Sequence, residues 1–522
     1  MVITEENRYL VIPVRRDAAE TRIYFYSGDR LLRDIIACID FEKPDYTAYY
    51  DMKTFADADI TVACDAGELE TSDCVKYIET NEPRPSYHFS AKTGWLNDPN
   101  GMILYEGKYH LFYQYNPVGT ARGSHHWGHA VSEDLLHWED WDIALCPDEM
   151  GTMFSGCAIE DKDNILGFKK NEHNPLVLFY TASGDSCSET AKGQPFTQCM
   201  AISVDGGKSF QKYKENPIIG KLGERTRDPN VVYDEQHKIF IMALFIESDG
   251  RNNYGFFKSA NLVNWTKISE FEIPSERVCP DIFRLNDGDT SRWVFCGGNN
   301  YYVTADLDIE KGLVQVSEPK KFGYGGMYAA QTFNNSEKII RIAWCRLSKW
   351  GLGFWEKSDR LPTKTYSQFM SIPAEVTLRE GTLRVNPMYD FEKEVSYSNI
   401  LANSISIPLS QKPLGLYIKT ASLTDKLKIT LFGNTIETDG TTVKFSNLWN
   451  EEYEMPYEGD LTIFADTIGY DLFTSDKYYA AYQAVSDYNT PVLTLNGDAV
   501  LEKLELGYSI FVKNNQPLIN TL

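Results

Sequence analysis

Strand-length apolar runs recur through the middle of this chain, at 109–114, 176–180, 239–245, 293–296 and 339–344, each separated from the next by polar turns. Between them a second pattern returns three times: Ser132-Glu133-Asp134 leading to Trp138, Ser203-Val204-Asp205 leading to Phe210, and Ser259-Ala260-Asn261 leading to Trp265. Each reads as a strand, a short turn and an aromatic plug. Unit starts at Asp98, Ser155, Asp228, Pro280 and Gln331 set a repeat of about 50–70 residues, which holds four strands and their turns and matches a propeller blade. The pattern predicts an all-β protein with a five-bladed β-propeller over residues 85–375. Alternating runs at 21–26 and 60–63, closed by Pro83-Arg84-Pro85, predict a small N-terminal β-sandwich over 1–84. Short strands without the blade period, such as 427–432 and 461–464, predict a C-terminal β-sandwich over 376–522.

In a propeller the innermost strand of every blade starts at the same end of the central channel, so residues just ahead of those strands converge although they lie far apart in sequence. Asp98, Ser155, Asp228 and the turn Val278-Cys279-Pro280-Asp281 are therefore expected to share one pocket. The segment Trp95-Leu96-Asn97-Asp98-Pro99-Asn100-Gly101 carries an Asp-Pro-Asn turn that returns as Asp228-Pro229-Asn230, each time feeding a strand. Two carboxylates delivered to one place are the working parts of a glycosidase. An Asp at such a turn also serves as a purely local cap, so its position alone does not assign the chemistry.

Composition narrows the partners. A formal net charge of -23 repels phosphate backbones and anionic lipid heads, which argues against nucleic acid and membrane surfaces and favours a neutral ligand. The aromatic fraction of 13%, with 10 Trp and 32 Tyr, fits a β-rich protein and also fits stacking on sugar faces. No apolar run approaches the roughly 18 residues needed to span a bilayer. The first residues, Met1 to Asn7, lack the parts of a secretory signal, so a cytoplasmic protein with free thiols is expected. The ten cysteines hold no Cys-x-x-Cys pair, and the six histidines between His88 and His137 fit no zinc spacing. Neither a metal nor a cofactor is expected, and homo-oligomer formation is left open.

Taken together these residues resemble glycoside hydrolase family 32, the β-fructofuranosidases that include invertases, inulinases and levanases. The resemblance rests on Trp95 to Gly101, Phe112-Tyr113-Gln114-Tyr115-Asn116-Pro117, Trp127-Gly128-His129, Phe154-Ser155-Gly156, Arg227-Asp228-Pro229, Cys279-Pro280-Asp281 and Tyr328-Ala329-Ala330-Gln331-Thr332-Phe333, in that order and spacing. It implies a propeller followed by a sandwich, no cofactor, and a small carbohydrate substrate, sucrose or small fructans of the inulin or levan type. The extra N-terminal sandwich looks like that of some bacterial members. By the resemblance Asp98 is the nucleophile that attacks the anomeric carbon of a terminal fructose, with net retention. Asp228 grips fructose hydroxyls through hydrogen bonds that tighten in the transition state, and Asn97, Gln114, Trp127, Phe154, Ser155 and Arg227 line the fructose pocket.

The resemblance breaks at one position. Family members carry Glu directly before the Cys-Pro-Asp turn, where it protonates the leaving oxygen and later activates water. Here Val278 stands there, lining the pocket with no proton to give. Glu276 lies two residues upstream, on the same face of an extended strand, and a local bulge would bring it into use as acid and base; its competing reading is an exposed loop acid. Three outcomes stay open: a hydrolase that is impaired or compensated, a fructoside-binding homologue without turnover, and a transferase or an enzyme for an unusual fructoside whose leaving group needs little protonation. A second departure, Gly325-Gly326-Met327 where many relatives carry an acid, bears on substrate preference.

Overall fold

The computed structural model describes residues 1–56, 58–76, 80–184, 187–346 and 363–513. Five sheets follow one another between Gly94 and Pro387, antiparallel except where Tyr366–Ser367 adds in parallel to the first. The first is built from Gly94–Tyr105, Lys108–Asn116, His126–Ser132 and Glu139–Leu145, and the second from Thr152–Glu160, Leu176–Ser183, Phe196–Ser203 and Gln211–Lys212. Arg225–Asp234, Ile239–Ser248, Arg251–Ser259 and Thr266–Phe271 form the third. Asp281–Asp287, Thr290–Cys296, Tyr301–Asp308 and Gly312–Val314 form the fourth, and Met327–Thr332, Ile340–Cys345, Ala374–Arg379 and Thr382–Pro387 the fifth. The limit expected at 375 thus falls inside a strand. Ala374–Arg379 pairs with Ile340–Cys345 and with Thr382–Pro387, so the fifth sheet is complete only at Pro387.

Polar groups stitch the first strand of each sheet to that of the next. Ser155 Oγ donates to Asp98 Oδ2 at 3.0 Å, the Val231 N–H reaches Cys157 Sγ at 3.0 Å, and Asn230 Nδ2 donates to Asp281 Oδ1 at 3.3 Å. Thr332 Oγ1 donates to the same Asp281 oxygen at 3.1 Å. The Leu104 N–H then donates to the Asn334 carbonyl at 2.9 Å, joining the fifth sheet to the first and closing the ring. The repeated turn has one geometry: Ser132 Oγ meets Asp134, Ser203 Oγ meets Asp205 and Ser259 Oγ meets Asn261, while Trp138 and Trp265 each donate an indole N–H to the carbonyl three residues back. The crowded histidines go to separate contacts. His110 and His129 share a hydrogen bond of 3.0 Å inside the first sheet, and His126 meets Tyr50 at 3.0 Å.

Ahead of the ring lie two three-stranded sheets, Tyr46–Asp51 with Tyr9–Val14 and Glu70–Ser72, and Arg30–Cys38 with Glu20–Ser27 and Thr61–Cys64, enclosing a core that includes Leu10, Ile23, Phe25 and Ile35. After it comes one hydrogen-bonded sheet of eleven strands. Its long strands Leu414–Leu431 and Val492–Gly507 pair along most of their length through three register shifts. Each such irregularity bends the strands, and the sheet folds over a core of Leu416, Ile429, Leu472, Leu495 and their neighbours as a β-sandwich. No helix among the described residues is long and apolar enough to cross a membrane.

The ring is fastened to this last sheet by a buried ion cluster. His88 Nδ1 meets Asp466 Oδ2 at 2.9 Å, and its Nε2 meets Asp471. Asp466 also accepts the N–H groups of Ser86 and Tyr87, at 2.8 and 3.1 Å, and Tyr479 donates to Asp471. Burial alone would lower the His88 pKa, but the two carboxylates outweigh it and hold the imidazolium up to about 9. A folded pKa above the usual 6.5 means stabilisation that is whole below pH 6.5 and lost as pH rises through 9, up to about 3 kcal/mol. The thermal midpoint of the protein is expected to fall between pH 6.5 and 9, and His88→Leu to lower it at pH 6.5 while removing most of that slope. An unchanged slope in the variant would place the titration elsewhere.

Candidate active site

Four of the five innermost strands change register at one level of the ring. The shifts fall between Leu96 and Pro99, Phe154 and Gly156, Arg227 and Asn230, and Tyr328 and Gln331. A residue inserted in one strand of a pair is left out of the ladder, and the strand bends around it. The displaced residues are Asn97 and Asp98, Ser155, Asp228 and Pro229, and Ala329 and Ala330. In the fourth sheet pairing starts at Asp281, and the residues ahead of it, Val278 and Cys279, take φ values of 50° and 41°. Asp228 also sits at a left-handed φ of 64°, steadied by its own N–H donating to Thr181 Oγ1 at 2.9 Å. Left-handed backbone is costly for a β-branched residue such as Val278 and persists only where surrounding structure enforces it.

The two aspartates meet across Cys279. Its thiol lies 3.5 Å from Asp98 Oδ2 and 3.6 Å from Asp228 Oδ2, and its N–H donates to the same Asp228 oxygen at 3.1 Å. Asp98 is further held by Ser155 Oγ and by Asn97 Nδ2, the latter at 3.2 Å. Burial and the neighbouring Asp228 carboxylate push Asp98 up to about 7. Burial likewise raises Asp228, against the pull of Arg227, whose Nε lies 3.7 Å away. The Cys279 thiol is pushed far up by burial and by both carboxylates, so it stays protonated and able to donate.

Around this pair opens a cavity of about 810 Å³. Of the positions named from sequence, Asn97, Asp98, Gln114, Phe154, Ser155, Arg227, Asp228 and Val278 line it. Asn97 Oδ1 and Gln114 Oε1 are buried without a hydrogen-bond partner among the described residues, although both side chains line the cavity. Two expected residues do not line it. Trp127 is fully buried behind the wall, its indole N–H donating to the Phe154 carbonyl at 3.0 Å, so it supports the pocket without touching its space.

Glu276 is also behind the wall, 5% exposed, its carboxylate accepting the N–H groups of Arg277, Asn299 and Tyr301. It is neither an exposed loop acid nor a group turned to the cavity. The same-face argument holds for extended chain, whereas the left-handed step at Val278 and Cys279 breaks the alternation. Burial nevertheless raises the Glu276 pKa to about 7. The stretch Gly325-Gly326-Met327 joins the ring to the last sheet: Gly323–Gly325 pairs in parallel with Tyr478–Gln483, and the Gly326 N–H donates to the Ala481 carbonyl at 2.7 Å.

Several wall residues carry no strand-repeat signal. Arg122 and His125 come from the connection inside the first sheet, Gly193 to Phe196 from one inside the second, and Lys221, Glu224 and Arg225 from the approach to the third. Arg277 stands beside Val278, and Tyr328 closes the fifth side. Tyr328 falls in a segment that carries the family resemblance; Phe196 and Arg225 open strands, and the others sit in loops whose length and composition differ from unit to unit.

Residues 88–387 match the family model described as "Glycosyl hydrolases family 32 N-terminal domain". A levanase of Bacillus subtilis (strain 168) is 34% identical over 339 residues, covering 60% of this chain and 47% of its own, and an invertase of Schizosaccharomyces pombe is 30% identical over 335 residues, covering 58% and 54%. The chain therefore spans about half the length of the curated relatives it matches. Among solved structures, an exo-inulinase from Aspergillus awamori superposes with a TM-score of 0.70 at 23% identity, over 83% of this chain and 99% of that one. A β-fructofuranosidase from Schwanniomyces occidentalis complexed with fructosyl-erythritol gives 0.70 at 23%, over 82% and 98%. At that identity the superpositions speak for a common fold. With the family model covering more than half of its residues, this chain belongs to glycoside hydrolase family 32.

Proposed function

We propose that this protein cleaves β-fructofuranosides at a terminal fructose, with retention of configuration, sucrose and small fructans being the substrates toward which its relatives' names point. The observation that carries the reading is the pair of carboxylates brought to one buried thiol at the floor of a sugar-sized cavity. Ionised Asp98 attacks the anomeric carbon while Ser155 and Asn97 fix its oxygens. Asp228 accepts fructose hydroxyls, and Asn97 and Gln114, which line the same cavity, bind further ones. Water then releases the fructosyl group from Asp98.

The leaving oxygen is the weak point of this scheme. Val278 has no proton to donate, and Glu276, although protonated up to about pH 7, would serve only by releasing its backbone N–H partners. A missing general acid and base lowers the rate by about 10²–10⁴-fold, about 3–5 kcal/mol. That deficit favours a second reading, a fructoside-binding homologue with little turnover.

With an aryl β-fructofuranoside, whose leaving group departs unaided, kcat/KM is expected to rise with pH through about 7 as Asp98 ionises, and to level above it. Asp228→Asn removes the charge that helps hold Asp98 up, so the same limb moves to lower pH even though the maximal rate falls. A limb that stays in place would show that the titrating group is not Asp98.

Asp98→Ala is expected to remove cleavage of every fructoside, by roughly 10⁴-fold or more, while calorimetry still detects fructoside binding. Val278→Glu is expected to raise sucrose cleavage by about 10²-fold or more. Binding without cleavage of even the aryl fructoside in the unaltered protein would instead establish the second reading.

A further inference from the structure

The chain carries a formal net charge of -23, yet its cavity is ringed by cations. Arg122, Lys221, Arg225, Arg227 and Arg277 line it, against three carboxylates among the described lining residues, Asp98, Asp228 and Glu224. The charges are layered. The two aspartates lie at the floor with Arg227, which is also 3.5 Å from Glu247. Lys221, Arg225 and Arg277 are exposed at the mouth, and among the described residues none of the three has a carboxylate within ion-pair distance. A terminal fructose occupying the floor leaves its aglycone at this rim, where Arg277 directly precedes the non-protic Val278.

A rim of cations without a carboxylate partner among the described residues repels nothing on a neutral sugar and does little to attract one. It raises the local concentration of an anion and stabilises negative charge that develops there. Beside it, the position directly before the Cys-Pro-Asp turn holds Val278, which has no proton to give. Both facts suit a leaving group that departs as an anion.

We propose that the preferred substrate is a β-fructofuranosyl ester of an oxyanion, with phosphate as the leaving group, and that Lys221, Arg225 and Arg277 take up its charge. The inference rests on the fructoside-cleaving reading above. In the first step the Asp98 carboxylate forms a bond to C2 of fructose, and the C2–O bond breaks with its electron pair going to the phosphate oxygen. The ester reacts as its monoanion, whose own phosphate hydroxyl makes the departing group hydrogen phosphate, so no proton from the protein is needed. In the second step water attacks C2, Asp98 departs as carboxylate, and the proton of the attacking water passes to solvent or to the released phosphate. Nothing is oxidised or reduced, and no co-reactant beyond water enters.

The test compares fructose release from β-D-fructofuranosyl phosphate, sucrose, sucrose 6-phosphate and an aryl β-fructofuranoside. Expected is a kcat/KM for the fructosyl phosphate at least about 10²-fold above sucrose, falling steeply with added salt. The double variant Arg225→Gln/Arg277→Gln should cut the ratio of fructosyl phosphate to aryl fructoside by about 10-fold or more, which a merely structural defect would leave unchanged. Sucrose 6-phosphate preferred over the fructosyl phosphate would overturn the proposal, because the cations would then read a remote substituent rather than the leaving oxygen. Sucrose preferred over both, or a ratio unmoved in the double variant, would also overturn it while leaving fructoside cleavage standing. Failure to cleave any of the four would remove that reading and the inference together.

Discussion

The site depends on a break in hydrogen-bond register repeated at one level of the ring. A regular antiparallel strand keeps alternate side chains on its two faces and gives no residue special access to the channel. At Asn97–Asp98, Ser155, Asp228–Pro229 and Ala329–Ala330 the ladder is interrupted, and of the freed residues Asn97, Asp98, Ser155 and Asp228 line the cavity. The fourth sheet reaches the same end by a left-handed step at Val278 and Cys279. Local irregularity is tolerated here because the paired strands below fix the chain on either side of it. Asp98 and Asp228 consequently meet through the backbone of two separate sheets, not through any contact nearby in sequence.

That convergence sets the electrostatics. Two carboxylates in a poorly solvated space disfavour each other's ionised form, and burial adds to the effect. Cys279 moderates it by offering a thiol to each and an N–H to one. The Asp98 pKa near 7 and the cations around the rim are parts of one field, in which negative charge is costly at the floor and favourable at the mouth. The net charge of the whole chain points to a neutral ligand, whereas the charge lining the cavity points the other way. A chemical preference is set by the few groups within a Debye length of the ligand, with surface charge beyond it largely screened.

Much of the layout was legible in the sequence because repetition is visible without an alignment. The unit starts Asp98, Ser155, Asp228 and Gln331 fall in or beside the register shifts, and the Ser-x-Asp/Asn turns with their aromatic plugs form one local structure each time. What resisted reading has physical reasons. Trp127 belongs to the same sheet as Asp98, but as a fully buried indole it props up Phe154 from behind. Glu276 was placed by strand alternation, which fails where the chain steps through left-handed φ. The limit at 375 failed because the outer strands of the last sheet come from beyond the apolar run that signals its centre. The cationic rim comes from loops and from the outermost end of one strand, where no period exists to reveal it.

The N-terminal sheets take part in the site as well. Asp34, fully buried on Arg30–Cys38, turns its carboxylate outward to the connection inside the ring's second sheet. It accepts Ser188 Oγ at 2.8 Å, the Glu189 N–H at 3.1 Å, and the Thr190 N–H and Oγ1 at 2.9 and 2.7 Å, with Arg22 closing the other side. Burial by itself would raise this carboxyl, but the hydrogen bonds from Thr190, Glu189 and Ser188 outweigh it and keep it ionised. Three residues after Thr190 the same connection reaches the cavity, where Gly193, Gln194, Pro195 and Phe196 form part of the wall, and Phe196 packs edge-on against Phe154. Among its described residues this connection forms no strand before Phe196, and a buried charge with five donors is a stiff anchor for it. The sheets ahead of the ring therefore fix the side of the pocket that the ring's own register shifts leave undefined.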